Sequence, residues 1–269
     1  MNKFILLIPF ICFSAIGFTQ SRFITDFDKQ WKFALLDDSN ASKSLYDDSK
    51  WRTLDLPHDW SIEGSFSNKY PTTFNEGALP AGIGWYRKKF SIPVSSKDKR
   101  VFINFDGVYK NSEVWINGNY LGKRPNGYIS FRYELTSFLK FGNTKNIISV
   151  RVDNSEQPDS RWYTGSGIYR NVWLLTTNKI AVDQWGTFVT TTKATKEEAW
   201  INIATHITNT SAKTGSIKVS TQIYDADGKL VITANAPSKQ ILIAAPETNF
   251  AINILFLQLV AKIKIFLTY

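Results

Sequence analysis

The alternation of apolar and polar residues is the feature that most restricts the fold of this chain. Val101, Ile103 and Phe105 fall on one face of a predicted strand, and the same period of two returns in many later segments. Asn117-Gly118, between two such segments, is typical of a two-residue hairpin turn. Since no long segment has a helical period, the sequence predicts an all-β protein of the sandwich or jelly-roll type.

The composition of the 269-residue chain changes between Thr176 and Lys179. Tryptophans, glycines and long loops are frequent before this point, whereas Thr, Ile, Val and Ala dominate a plainer strand pattern after it. We therefore predict a large β-sandwich over residues 21–178. An immunoglobulin-like β-sandwich is expected to follow it over residues 179–247.

The last residues of the chain have a different character. Residues 250–269 are rich in Ile, Leu, Phe and Lys and contain no Gly, Pro or acidic residue. We interpret residues 248–269 as an aberrant or truncated apolar tail, as a shifted reading frame would produce. An amphipathic helix and a natural short form of the protein are the alternatives.

Residues 1–20 have the features of a secretory signal peptide. Lys3 supplies positive charge, residues 4–18 are almost wholly apolar, and Ala15-Ile16-Gly17 offers small residues for cleavage. A membrane anchor is the alternative, but the run is short for a span of about 20 residues. We expect a periplasmic or extracellular protein whose mature chain has no membrane span.

The ionisable residues exclude some classes of site. The chain has one cysteine and two histidines, so Cys-rich zinc sites and three-histidine metal sites are excluded, and we expect no metal and no cofactor. The formal net charge is +9, with a dense basic cluster that begins at Arg87-Lys88-Lys89. Such a cluster could bind nucleic acid. We favour solvated strand edges protected by lysine, and we expect no nucleic-acid partner.

Two glycine-rich segments resemble the start of a dinucleotide fingerprint. They are Gly82-Ile83-Gly84 and Gly165-Ser166-Gly167, and each lacks the third glycine and precedes a predicted strand instead of a helix. We interpret both as turns in which glycine lets two backbone segments approach closely.

Two loop segments place aromatic rings beside charged side chains. One contains Asp59 next to Trp60, and the other contains Asp159, Arg161 and Trp162. An aromatic face can stack on the C–H face of a sugar while charged groups bond to its hydroxyls. Aromatic residues that only pack the loops around an ion pair would produce the same pattern. No pair of carboxylates is spaced in a way that marks a glycosidic acid and base.

Six motifs occur in order along the first 178 residues: Leu56-Pro57-His58-Asp59-Trp60, Gly84-Trp85-Tyr86-Arg87, residues 105–118, Tyr120-Leu121-Gly122, Gly127-Tyr128 and residues 160–172. Over residues 24 to about 178 this ordered set resembles the amino-terminal sugar-binding domain of glycoside hydrolase family 2. The segment from Ile180 resembles the immunoglobulin-like second domain of the same family.

The resemblance implies a jelly roll, an immunoglobulin-like sandwich and then a (β/α)₈ barrel that carries both catalytic glutamates. It is strongest to exported bacterial members of the β-galactosidase type. By this resemblance, Asp159, Arg161 and Trp162 belong to the loop that approaches the substrate, and Asp59 is a weaker candidate. Glu76 follows Asn75 as in the Asn-Glu pair of the family, but it falls in a jelly-roll loop.

We therefore predict no catalytic residue in this chain. It is interpreted as the non-catalytic amino-terminal portion of such an enzyme, with weak affinity for a β-galactoside-type carbohydrate. A stand-alone carbohydrate-binding or adhesion module is one alternative. A fragment that complements a separately encoded catalytic barrel, its candidate partner, is the other.

Overall fold

The computed structural model describes residues 22–195, 199–225, 227–236, 239–241, 248–256 and 262–268. The predicted signal peptide over residues 1–20 lies outside the described residues. No helix within the described ranges is long and apolar enough to cross a membrane.

Residues 22–177 contain two antiparallel sheets. Their strands are β1 (Arg22–Asp26), β2 (Trp31–Leu35), β3 (Arg52–Leu54), β4 (Gly82–Phe90), β5 (Arg100–Phe105), β6 (Ser112–Ile116), β7 (Asn119–Arg124), β8 (Phe131–Glu134), β9 (Asn146–Asn154) and β10 (Val172–Thr177). One sheet has the order β1-β10-β5-β8, and the other has the order β3-β2-β4-β9-β6-β7. Short 3₁₀ helices occupy parts of the loops, at Ser39–Ser42, Ser61–Glu63, Phe74–Glu76, Val94–Ser96 and Thr136–Phe138.

The apolar faces of these two sheets form one core. Val101, Ile103 and Phe105 of β5 are fully buried, so the strand face predicted from their spacing is confirmed. Phe102 points to the opposite face and is also buried. The guanidinium of Arg132 covers its ring at 4.5 Å, so a basic side chain shields an apolar one on the outer surface.

The predicted hairpin at Asn117-Gly118 is confirmed. It joins β6 and β7, and both of its central residues have positive φ, 51° at Asn117 and 82° at Gly118. This backbone twist matches that of the flanking strands, which is why Asn-Gly is favoured there.

The second part of the chain adds two smaller sheets around a separate core. Their strands are β11 (Ile180–Ala194), β12 (Ala199–Asn209), β13 (Gly215–Tyr224), β14 (Leu230–Asn235), β15 (Lys239–Ile241), β16 (Thr248–Phe256) and β17 (Lys262–Thr268). Ile203, Ile207 and Val219 lie in this core. The predicted fold class, all-β with a jelly-roll sandwich and then an immunoglobulin-like sandwich, is confirmed. The domain boundaries at residues 178 and 247 stay predictions.

The carboxy-terminal segment is part of these sheets. β16 pairs with β12 from Thr248 to Phe256, and β17 pairs with β13. The alternative of an amphipathic helix is therefore wrong, because the backbone groups of this segment are used in strand pairing. The assignment of residues 248–269 as an aberrant end stays a prediction.

The interpretation of the basic cluster as a solvated strand edge is wrong for Arg87. Its strand, β4, lies inside the six-stranded sheet, and the Arg87 side chain is fully buried. Its Nε donates to Asp48 Oδ2 at 2.9 Å, and its terminal nitrogens donate to carbonyls of the loop between β2 and β3 and to Ser149. Burial is tolerated because almost every donor has an acceptor.

Candidate functional site

Two long loops meet at one end of the first sandwich. The loop between β3 and β4 carries Asp59, and the loop between β9 and β10 carries the other predicted site residues. Asp59 Oδ1 accepts the backbone N–H groups of Ser61 and Ser166, each at 2.9 Å, and Asp59 Oδ2 accepts the Tyr163 hydroxyl. Burial, and then the nearby Asp59 carboxylate, raises the pKa of Tyr163. Asp59 therefore joins the two loops.

Glu76 makes a second connection between the same loops. Its buried carboxylate accepts the backbone N–H groups of Asp159 and Ser160 at 2.7 and 2.8 Å. Its other oxygen accepts the backbone N–H of Thr73 in a capping box. Sequence analysis set Glu76 aside, although the Thr-x-x-Glu spacing indicates such a cap. Glu76 is the residue that holds the backbone of Asp159 in place.

Asp159 is nearly buried, with 11% of its side chain exposed. Its Oδ2 accepts Lys110 Nζ at 2.5 Å and the Tyr109 hydroxyl at 3.0 Å. Burial first, and then this carboxylate, raises the pKa of Tyr109. Asp159 Oδ1 is buried and has no hydrogen-bond partner in the described part of the chain. Asp159 thus retains one unused acceptor beside an ion pair.

The contribution of Tyr109 and Lys110 was missed by sequence analysis. They lie in the motif at residues 105–118, about 50 positions before Asp159, and no local spacing links them to it. A closure in the tertiary structure joins them instead: Tyr109 and Gly167 exchange two backbone hydrogen bonds of 2.9 Å. The predicted close approach at the glycine turn is confirmed at Gly167.

Arg161 and Trp162 form the open half of the site. The indole of Trp162 is 62% exposed, and Arg161 is exposed with no ion pair among the described residues. Ser160 Oγ accepts the backbone N–H of Trp162, which helps to fix this short turn. Phe74 and Tyr163 are also exposed in the same pair of loops. A flat aromatic face and an unpaired guanidinium are thus accessible on the same turn.

His58, which precedes Asp59 in the same motif, contacts other side chains of the fold through both of its ring nitrogens. Its Nδ1 lies 2.7 Å from the Tyr86 hydroxyl, and its Nε2 lies 3.2 Å from Glu63 Oε1. Burial lowers the pKa of His58 despite the nearby Glu63 carboxylate. The ring is therefore a buried, neutral group at pH 7.

We expect the stability of the protein to fall as the pH decreases from 7 to 5. The folded-state pKa of His58 lies below the ordinary value of 6.5, so the unfolded chain binds the proton more readily. Stability is thus lost as the pH falls through 6.5 toward the lower folded-state pKa. Urea unfolding at several pH values gives the free energy of unfolding as a function of pH. This free energy should decrease less steeply between pH 7 and pH 5 in His58→Gln than in the wild type. An equal pH dependence of the free energy of unfolding in the wild type and in His58→Gln would contradict the assignment of this effect to His58.

The acidic side chains of these loops contact other parts of the fold. No group of three His, Cys, Asp or Glu side chains that could hold a metal ion occurs in the described ranges. Asp59, Glu76 and Asp159 each accept hydrogen bonds within the fold. The exposed side chains of Arg161 and Trp162 can contact a ligand, and Asp159 lies on the same loop.

Residues 24–178 match the family described as glycosyl hydrolases family 2, sugar binding domain. The chain is 49% identical over 218 residues to the β-galactosidase BoGH2A of Bacteroides ovatus, covering 81% of this chain and 26% of that protein. It is 42% identical to a putative β-glucuronidase of Formosa agariphila, covering 84% of this chain and 22% of the relative. The chain thus spans about a quarter of the length of these curated relatives.

Solved structures agree with this similarity. A glycosyl hydrolase family 2 member from Bacteroides cellulosilyticus superposes with a TM-score of 0.81 at 36% identity, covering 87% of this chain and 30% of that one. A β-glycosidase from Bacteroides vulgatus superposes with a TM-score of 0.77 at 44% identity, covering 86% of this chain and 29% of that one. Both similarities include sequence as well as fold.

Proposed function

Because the chain belongs to glycoside hydrolase family 2 through its sugar-binding domain, we propose that it holds a galactoside at the rim of a catalytic site on another domain. In this proposal it is the non-catalytic amino-terminal part of a β-galactosidase-type enzyme. The observation that carries the proposal is that one loop presents an exposed Trp162 and an Arg161 without an ion pair, together with an Asp159 that is held in place by Lys110. Residues 1–20 would export the protein, and amino-terminal sequencing of secreted material would test that step.

The hydrogen bonds of the site favour binding over catalysis. Retaining hydrolysis needs two carboxyl groups about 5–5.5 Å apart, one as acid and one as nucleophile. Asp159 is paired with Lys110, and Asp59 and Glu76 accept backbone N–H groups. Each carboxylate thus uses at least one oxygen to hold the loops together, which is a structural role.

The sugar ring would stack on the Trp162 indole while Arg161 donates to its hydroxyls. Asp159 Oδ1, which has no partner among the described residues, would accept a hydrogen bond from a sugar hydroxyl after a small movement of the loop. The similarity to BoGH2A supports a galactoside. A glucuronide is the second candidate, because an unpaired guanidinium also suits a carboxylate, and several relatives are named β-glucuronidases.

The test is a titration of the full chain with methyl β-galactoside and, separately, with methyl β-glucuronide, in which NMR chemical shifts report binding. We expect a Kd for the galactoside of about 1 mM or weaker, because one stacking contact and a few exposed hydrogen bonds exceed the cost of association only slightly. Trp162→Ala and Arg161→Ala should remove this binding. Arg170→Ala, at an exposed arginine of the same loop, is the matched control.

The same samples should not hydrolyse a chromogenic β-galactoside. Turnover that disappears in Asp159→Ala would contradict the non-catalytic assignment. Tighter binding of the glucuronide than of the galactoside would contradict the galactoside assignment and identify a glucuronide as the ligand. Activity that appears only when a separately expressed catalytic barrel is added would support the complementing arrangement, whereas tight binding without it would indicate a stand-alone carbohydrate-binding module.

A further inference from the structure

A groove of about 370 Å³ lies between the two sandwiches, on the outer face of the sheet β1-β10-β5-β8. Trp173, Asn104 and Arg132 lie directly opposite one another on the adjacent strands β10, β5 and β8. They alternate with the fully buried Ile103 and Phe105, so they face away from the core. This row forms one wall of the groove.

A bulge in β11 supplies the other wall. The pairing of β11 with β12 is interrupted between Val182 and Thr187, and Trp185 lies within the interruption. Trp185 has a φ of 52° and is 79% exposed. A bulky residue rarely adopts a positive φ, and here the conformation brings no burial in return. Such strain at an exposed aromatic residue points to a role in binding.

The bulge is held against the first sandwich by two arginines. Arg132 donates to Asp183 Oδ1 at 2.8 Å, and Arg22 donates to the carbonyl of Val182 at 2.9 Å. Asp183 Oδ1 also accepts the backbone N–H of Gln184 at 2.7 Å. The position of Trp185 beside the outer sheet face is therefore set by contacts on its amino-terminal side.

The remaining polar groups of the groove suit an uncharged ligand. Both guanidiniums of the groove are engaged, because Arg132 pairs with Asp183 and Arg22 donates to the carbonyls of Val182 and Asp183. The Trp173 indole N–H already donates to Asp106. Within the described residues, the side-chain amide of Gln184 and the amide oxygen of Asn104 make no hydrogen bond. An exposed indole face with neutral amide donors and acceptors is the arrangement that recognises a sugar without a carboxylate.

We propose that this groove binds a neutral oligosaccharide, with one pyranose ring stacked on Trp185 and hydroxyls bonded by Gln184 and Asn104. The site is separate from Arg161 and Trp162, so it does not depend on the function proposed above. It would hold a neutral glycan against this face of the protein.

The experiment is isothermal titration calorimetry of the full chain with four tetrasaccharides. The neutral probes are β-1,4-galactotetraose, cellotetraose and xylotetraose, and the acidic probe is tetragalacturonic acid. We expect at least one neutral probe to bind, and the acidic probe to bind at least tenfold more weakly. Trp185→Asn should weaken neutral binding at least tenfold, because it removes the ring while asparagine tolerates the positive φ. Gln184→Ala should weaken it about threefold.

Phe188→Ala is the matched control, since it removes an exposed aromatic ring of the same strand β11 outside the groove, and it should change the affinity less than twofold. An unchanged thermal unfolding midpoint in Trp185→Asn would show that the bulge survives. The proposal is wrong if no neutral probe binds at 5 mM, if tetragalacturonic acid binds best, or if Trp185→Asn binds as the wild type does. It is also wrong if Trp162→Ala, and not Trp185→Asn, removes the binding.

Discussion

Replacing Arg87 with methionine should lower the free energy of unfolding of the first sandwich by about 3–5 kcal/mol. The guanidinium is fully buried and donates to Asp48, to Ser149 and to loop carbonyls that include Lys43. Methionine fills a similar volume but leaves these acceptors unpaired. Removal of one partner of a buried ion pair costs more than the pair contributes, because the remaining charge stays desolvated.

Asp48 would be the most affected of these acceptors. Burial acts to raise its pKa, but the hydrogen bonds from Arg87 and Lys89 outweigh that effect and hold the pKa below its usual value. Without Arg87 the balance shifts toward burial, so the carboxylate becomes costly at pH 7. The double variant Asp48→Asn/Arg87→Met, which removes both charges, should therefore have a higher free energy of unfolding than Arg87→Met alone.

Urea unfolding followed by tryptophan fluorescence measures this effect. Arg161→Met is the matched control, because that arginine is exposed and should change stability by less than about 0.5 kcal/mol. A loss of less than about 1 kcal/mol in Arg87→Met would show that the buried pair does not support the loop between β2 and β3.

The second large effect is expected at Gly167, where alanine should destabilise the protein by about 3–5 kcal/mol. Its φ is 124°, and a Cβ there would lie 2.4 Å from the Tyr86 hydroxyl and 2.7 Å from the backbone oxygen of His58. Backbone strain contributes about 1–3 kcal/mol, and overpacking against the backbone contributes about as much again. The paired bridge to Tyr109 would also be disturbed, which would move the contacts of Asp159.

Gly82→Ala separates the two causes. Gly82 has a nearly equal φ of 118°, but a Cβ there would meet nothing within 4 Å. It should therefore show the backbone cost alone, about 1–3 kcal/mol. Chemical denaturation of both variants measures the difference. Equal losses would mean that the close approach at Gly167 contributes nothing.

Local patterns predicted the elements of the fold that depend on local physics. The alternation at Val101 and Ile103 identified a buried strand face, since successive side chains of a strand point to opposite sides. Asn117-Gly118 identified a hairpin because few residue pairs accept two positive φ values. The carboxy-terminal strand β16 was not predicted, because residues 250–256 are apolar except at Asn253 and show no regular alternation that separates strand from helix.

The candidate site was predictable in part. Asp159, Arg161 and Trp162 were identified from their composition and from the family resemblance, and the structure places them on one loop. Sequence analysis did not separate the engaged residue from the exposed ones. That difference arises because Lys110 and Glu76, from two distant loops, reach Asp159 and not Arg161.

The sequence by itself determined the all-β class and the order of the motifs, because these depend on spacing along the chain, and the resemblance of those motifs indicated the family that the match over residues 24–178 shows. Only the tertiary structure decided that Arg87 is buried, that Glu76 holds the loop of Asp159 and that Trp185 faces a groove between the sandwiches. Each of these depends on a partner at least 39 positions away in the chain. The energy of a charge or an exposed ring is set by the groups that surround it after folding, and no local pattern names those groups.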